Sequence, residues 1–505
     1  MKFLKLHVLY VLLFCSSMLF SQPLKHQMRG AWIATVVNID WPSKNDLSVE
    51  KQQKELIDML NAFQSMNINT VIFQARPTSD AFFVSSKEPW SQYLTGKQGK
   101  TPEPFYDPLQ FLIDEAHARA MEVHVWLNPY RVSMTTKQFF HEQHPFSHKN
   151  HLIKEYADKY YFDPGFEETR QYINAVVKDI VMRYDIDAVH FDDYFYPYKV
   201  GKQEFPDNDS FKKEPRNFEK NEKNDWRRNN VNLLISELQQ TIKSVKPWVE
   251  FGISPFGVWR NIDQDPRGSR TKAFSGYDGL HADVLKWLEE GTIDYVAPQL
   301  YWEIGHSLAD YKVLIDWWAN NSNNKNLYIG LFASGLNTGN KTAWKRGNEL
   351  ARQLQLNKQY PQQDGVILYS ARPLLKNPLG ICDTLRNNYF KYPSLVPINR
   401  NIKGEASAQP QNLKIAKDNE TILLTWDKVS DTGGKKIAYY VVYRFDGTSI
   451  GNIDDPRFIV TKTTDNFLDL SKYSNQFKGE HTFVVTSVNK FKHESPATKF
   501  VVKQF

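Results

Sequence analysis

Eight short runs of apolar, β-branched and aromatic residues recur through the first three-quarters of this chain, with an amphipathic segment after each. The runs are RGAWIATV (29–36), NTVIFQAR (69–76), EVHVWLNPY (122–130), AVHFDDY (188–194), EFGISPFG (250–257), DYVAPQLYW (294–302), LYIGLFA (327–333) and GVILYSAR (365–372). Runs this short and this continuously apolar suit strands buried on both faces. The segments between them are Val49–Met66, Asp107–Ala120, Glu167–Arg183, Trp226–Val245, Leu280–Glu290, Leu308–Trp318 and Thr342–Leu356, with Pro373–Phe390 supplying an eighth. Their apolar residues recur at helical spacing. Eight parallel βα units are the number that closes a TIM (β/α)8 barrel. An open doubly wound sheet is the alternative. It would need a glycine-rich first turn for a nucleotide, and NIDWPSKND (38–46) contains no glycine.

After residue 393 the texture changes. Residues 394–409 are a polar linker, and 410–505 carry the short strand-like runs ETILLTW, AYYVVYRF, NFLDL, HTFVVTSVN and KFVV separated by turns. The series PQNLKI, ILLTW, YYVVYRF, FVVTSVN and ESPAT, with Trp426 alone on an early strand, resembles a fibronectin type III module. The expected fold class is therefore α/β: a (β/α)8 barrel over 27–393 followed by a small all-β immunoglobulin-like sandwich.

The N-terminus reads as a secretory signal peptide, residues 1–21. Lys2 and Lys5 precede an uncharged, mostly apolar run from Val8 to Phe20, and Ser21 is a small residue for cleavage. That run is too short to span a bilayer, and no later segment reaches the length of a membrane helix. Export to the periplasm, cell surface or medium is expected. Cleavage leaves Cys382 as the one cysteine, which rules out an intramolecular disulfide. The net charge of +6 arises from 63 basic and 57 acidic side chains spread along the chain, and it argues against a nucleic-acid partner.

In such a barrel, function gathers where the carboxyl ends of the strands converge. In order, those ends deliver Asp40 and Trp41; Gln74 and Arg76; Trp126, Asn128 and Arg131; His190, Asp192, Asp193 and Tyr194; Trp259; and Gln299, Tyr301, Trp302 and Glu303. Carboxylates, amides, arginines and aromatic rings together suit a sugar. Ring faces stack on the C–H face of a pyranose while polar groups satisfy its hydroxyls. The aromatic share of 14% fits this reading, with 12 of 13 tryptophans before residue 400.

Glycosidic cleavage needs two carboxyl groups: an acid for the leaving oxygen and a nucleophile or water-activating base. Asp192, Asp193 and Glu303 are the candidates. Trp302 beside Glu303 is expected to desolvate it and raise its pKa, which makes Glu303 the expected proton donor and Asp193 or Asp192 the second carboxylate. Trp41, Trp126, Tyr194 and Trp302 are expected to form a sugar-binding floor. Arg76, Asn128, Arg131 and Gln299 would position hydroxyl or acidic groups, with Asp40, Gln74, Trp259 and Tyr301 nearby. His190 lies one residue inside its strand and, though counted among the substrate-binding candidates, reads as a core or supporting histidine more than as a ligand.

Two rival readings remain open. A glycan-binding protein could keep the groove without chemistry. A metal-dependent polysaccharide deacetylase would use His141, His144, His148 and His151 in FFHEQHPFSHKNHL (139–152). There HExH falls one residue short of HExxH, and Pro145 interrupts any helix, so a metal is not expected. No phosphate loop or serine-nucleophile elbow is present, and no cofactor is implied.

Six segments are more specific than composition: RGAWIATVVNIDWPS, VIFQARPTSDAFF, HVWLNPYR, DAVHFDDYFYPY, FGISPFGVWRN and YVAPQLYWE. Together, over about residues 27–340, they resemble the glycosyl hydrolase-like family 10, exported bacterial proteins. The resemblance implies a TIM-type barrel with catalytic carboxylates at strands four and six. It also implies an oligo- or polysaccharide of the envelope or surroundings as substrate, with peptidoglycan glycan strands a plausible target.

Overall fold

The structure is a computed structural model that describes residues 23–339, 341–345, 349–418, 421–430 and 436–505; the expected signal peptide lies outside them. Eight parallel strands close a barrel: β1 (Met28–Ile33), β2 (Thr70–Arg76), β3 (Glu122–Leu127), β4 (Ala188–Phe191), β5 (Glu250–Ile253), β6 (Tyr295–Val296), β7 (Asn326–Phe332) and β8 (Gln363–Tyr369). Each strand pairs with its neighbours in sequence, and β1 pairs with β8 to complete the ring. Around it run α1 (Val49–Ser65), α2 (Pro108–Ala118), α3 (Glu167–Arg183), α4 (Lys223–Val245), α5 (Val284–Glu290), α6 (Tyr311–Asn321) and α7 (Glu349–Asn357). The eighth segment is broken into short turns of helix between Ala371 and Tyr389.

Local chemistry sets these boundaries. α1 buries Val49, Leu56, Met59, Leu60 and Phe63 on one face. α2 begins where Asp107 accepts from the backbone N–H groups of Leu109 and Gln110, with Pro108 at its first position. α5 stops at Gly291, whose φ of 71° is left-handed.

The barrel interior is packed with large rings set against small residues. Trp32, Ile72, Trp126, Tyr295, Tyr328 and Ile367 share one buried cluster. Gly252 makes room for Tyr295: a Cβ there would lie 1.9 Å from the ring. The Tyr295 hydroxyl sits 2.9 Å from His124 Nδ1 and 2.8 Å from His190 Nδ1. Burial holds His190 well below the usual imidazole range, so it is neutral.

The C-terminal part is all β, in two packed sheets. One contains β9 (Lys414–Asp418), β10 (Thr421–Thr425) and β13 (Phe467–Asp469). The other contains β11 (Ile437–Asp446), β12 (Ile459–Thr463), β14 (Glu480–Asn489) and β15 (Val501–Gln504). Leu424, Trp426, Tyr440, Val442, Phe483 and Val485 form the core between them. On the other face of β11, Tyr439, Val441, Tyr443 and Phe445 cluster with Ala120 and Leu395 at the amino-terminal end of the barrel, its floor.

Lysines complete that junction. Lys492 lies 2.9 Å from Glu250 and 3.2 Å from Glu122, and Lys490 lies 2.9 Å from Asp187. The polar stretch after residue 393 is itself fastened to the barrel. Leu395 exchanges backbone hydrogen bonds with Lys25 and Gln27, and Asn399 donates to Glu250.

Candidate active site

The mouth at the carboxyl ends of the strands is organised by a line of amides. Gln74 Oε1 accepts from the backbone N–H groups of Thr35 and Val36, which leaves its Nε2 to donate to Asn128 Oδ1 at 2.7 Å. Asn128 must then present its NH2, and it donates to Asp192 Oδ2 at 2.6 Å. Three strands thus fix one carboxyl group. The second oxygen of Asp192 accepts only a longer bond, 3.2 Å, from the Tyr194 backbone N–H.

Asp193 is held from the opposite side. The Tyr198 hydroxyl donates to one oxygen, and Gln299 Nε2 approaches the other at 3.3 Å. Both carboxyl groups reach the mouth because the chain leaves the strand after Phe191 and the strand alternation ends there. Both are buried. Burial pushes Asp192 up to about 7, with Arg131 opposing and Asp193 adding to the rise. Burial also raises Asp193, against the hydrogen bonds from Tyr198 and Gln299. Like charges on neighbouring residues favour one shared proton at neutral pH.

Arg131 lies over the Tyr194 ring, 4.2 Å from its centroid. A hairpin, Ile153–Tyr156 and Lys159–Phe162, fixes the arginine's place: Tyr160 accepts from the Val132 N–H and Phe162 donates to the Tyr130 carbonyl. Asp40 staples the rim shut. It accepts from the Ala34 N–H, the Ser370 hydroxyl and the Arg372 N–H, each at 2.8 Å, and so ties the loop after β1 to the end of β8.

Aromatic rings run along both sides of the carboxyl pair. On one side Tyr194 meets Tyr198, Tyr198 stacks on Phe274 at 5.2 Å, and Phe256 bridges Phe274 to Trp302. Tyr194 and Phe274 are 38% and 39% exposed, with one face of Tyr194 covered by Arg131 and one face of Phe274 by Tyr198. On the other side Tyr301 stacks between Phe332 and Tyr369. Trp126 Nε1, near the end of β3, and Ser254 Oγ, just after β5, are buried polar atoms without a partner.

Several expected site residues lie elsewhere. Trp41 is fully buried against Phe73 and Phe82, and its Nε1 donates to the Gln52 carbonyl on α1. Burying such a ring is worth roughly 4–6 kcal/mol, several times one stacking contact, so it goes to the core. Trp259 is buried face-to-face on Trp317. Trp126 is buried in the interior cluster and forms no open floor. Arg76 is locked by Glu88, Nε to Oε2 at 2.9 Å and Nη2 to Oε1 at 2.6 Å, and positions no sugar hydroxyl.

The pKa expectation for Glu303 is also corrected. Partial burial acts upward, but hydrogen bonds from Lys341 at 3.0 Å and Trp344 at 3.3 Å draw Glu303 below its ordinary value. The neighbour that matters is thus a lysine, and Trp302 instead packs on Phe256.

Of the loop histidines, His144 is buried with Nε2 3.1 Å from the Thr78 carbonyl, and His151 faces Glu168. Among the described residues no group of three His, Cys, Asp or Glu is placed to hold a metal ion. Tyr198 and Phe274 join the site without being among the strand-end residues expected there. Tyr198 stands inside the DDYFYPY motif, whereas nothing local marks Phe274, some eighty residues further on.

A family model described as Glycosyl hydrolase-like 10 matches residues 27–345. The chain is 43% identical over 483 residues to Glycosyl hydrolase YngK of Bacillus subtilis (strain 168), covering 94% of this chain and 93% of that protein. It is 42% identical over 374 residues to Glycosyl hydrolase DigH of Escherichia coli (strain K12), covering 69% and 83%. Among solved structures, the glycoside hydrolase domain of PgaB (BpsB) from Bordetella bronchiseptica aligns at 12% identity with a TM-score of 0.48, over 71% of this chain and 98% of that one.

Proposed function

Because the chain belongs to the glycosyl hydrolase-like 10 family, we propose that it hydrolyses O-glycosidic bonds of an envelope or extracellular glycan, with peptidoglycan glycan strands the leading candidate. The observation that carries this reading is the buried Asp192–Asp193 pair, held by donors from the segments after β3, β4 and β6, between two rows of aromatic rings. A carboxyl group that keeps its proton near pH 7 is what a leaving oxygen needs, and Asp192, at about 7, meets that requirement. Asn128 and the backbone of Tyr194 orient it. The exposed parts of Tyr194 and Phe274 support contact with pyranose rings. Residues 1–21 act as the export signal in this reading, and the C-terminal sheets form a fibronectin type III-like module.

Peptide-stripped glycan strands incubated with the purified protein should release reducing ends. Asp192→Asn and Asp193→Asn should each lower that rate by about 10³-fold while glycan binding persists. Full activity in both variants would sink the assignment.

A further inference from the structure

We propose that the substrate supplies its own nucleophile: the carbonyl oxygen of a 2-acetamido group on a β-linked sugar attacks the anomeric carbon, with Asp193 accepting the acetamido N–H and Asp192 protonating the leaving oxygen. This rests on the reading of the site as a glycosidase and names the substrate class and the division of labour.

The argument is a census of carboxylates at the mouth. A protein nucleophile or water-activating base must reach the anomeric carbon from the face opposite the leaving group, so it cannot share the acid's position. The other four carboxylates placed near the mouth are each held by a cation, by rim donors or by deep burial. Asp40 accepts from three donors that close the rim. Glu88 is locked on Arg76, and Asp80 is fully buried against Thr78 and Gln98. Glu303 is paired with Lys341 and also accepts from Trp344.

The two that remain are consecutive in sequence, and they are drawn to different sides, Asp192 toward Asn128 just after β3 and Asp193 toward Gln299 beyond β6. Consecutive carboxyl groups serve two adjacent atoms of one sugar. A 1,2-trans acetamido group already stands on the face from which attack must come.

The step balances without a co-reactant other than water. The carbonyl oxygen bonds to C1 as the glycosidic C1–O bond breaks. The electron pair of that bond leaves on the departing oxygen, which takes the Asp192 proton. The positive charge spreads over the N–C–O unit of the new oxazolinium ring, whose N–H faces the Asp193 carboxylate. Tyr198 and Gln299 hold that carboxylate in place. Water then returns a proton to Asp192 and bonds to C1. The ring C1–O bond breaks, its electrons restore the amide, and configuration is retained.

The test compares peptide-free glycan strands carrying N-acetyl, N-trifluoroacetyl or free amino groups, together with N-acetylglucosamine-thiazoline as a mimic of the cyclic intermediate. Trifluoroacetylation should slow kcat by at least about tenfold, because a weaker carbonyl nucleophile raises the barrier directly. Strands with free amines should not be cut, thiazoline should compete with substrate, and Asp193→Asn should lose both hydrolysis and thiazoline binding. Equal rates on acetyl and trifluoroacetyl strands, or hydrolysis untouched by thiazoline, would overturn the proposal and leave the glycosidase reading standing. A protein that hydrolyses none of the strands defeats both.

Discussion

The guanidinium of Arg131 lies 4.2 Å from the ring centroid of Tyr194, beside the two buried carboxyl groups that Tyr194 follows in sequence. It is the cation whose charge holds both down against their burial. Replacing Arg131 with Gln removes that charge, so both carboxyl groups should hold their protons to higher pH. The acidic and alkaline limbs of the kcat/KM profile should then both move upward. A pH series on wild type and Arg131→Gln checks this, and limbs that stay in place would count against Arg131 as the tuning charge.

The same pair makes stability depend on pH. In the unfolded chain an aspartate releases its proton near 3.8, whereas Asp192 in the fold does so at about 7. Between those values the folded state binds more protons, so stability falls as pH rises through the window. Asp192→Asn removes the buried charge and should gain up to ~4 kcal/mol at about pH 8, with the gain vanishing below about pH 4. Denaturant melts of the two proteins at both pH values measure it directly.

Glu303 should matter less than its neighbour Trp302 suggests. Lys341 in the pair is 55% exposed, and pairs of that kind contribute at most about 1 kcal/mol. Glu303→Gln should leave kcat/KM within about tenfold of wild type, against about 10³-fold for the aspartates. A loss as large as theirs would return Glu303 to the centre of the chemistry.

At the floor the balance is reversed, because there the charges are buried. Against its burial, Lys492 pulls Glu122 below its usual range, and the same ammonium serves Glu250. Lys492→Met leaves two carboxylates without their cation and should cost about 3–5 kcal/mol in urea melts. Adding Glu122→Gln and Glu250→Gln should restore most of it, which separates lost pairing from lost packing.

Strand positions were readable because burial on both faces leaves little choice but apolar runs, and each of the eight runs holds a barrel strand. The Asp192–Asp193 pair, Asn128, Arg131 and Gln299 could be read because strand ends converge. What strand-end placement does not give is the direction of each side chain once the strand has ended. Trp41 and Trp259 turn outward into the layer between barrel and helices, since rings of that size gain more from the core than from the rim. Nothing local in the sequence marks Arg76 as a buried ion-pair residue, because its partner Glu88 lies twelve residues away in a loop without periodicity. Phe274 sits in another such loop, and only the closed fold brings it beside Tyr198.

The lysines that seat the sandwich do so on Glu122, Asp187 and Glu250, residues at or next to the starting ends of their strands, while Asp192 and Gln299 follow strand finishes. The molecule therefore has a heading. A surface that held the C-terminal sheets would leave the mouth facing away from it. The C-terminal sheets and the Asp192–Asp193 mouth therefore occupy opposite ends of the barrel.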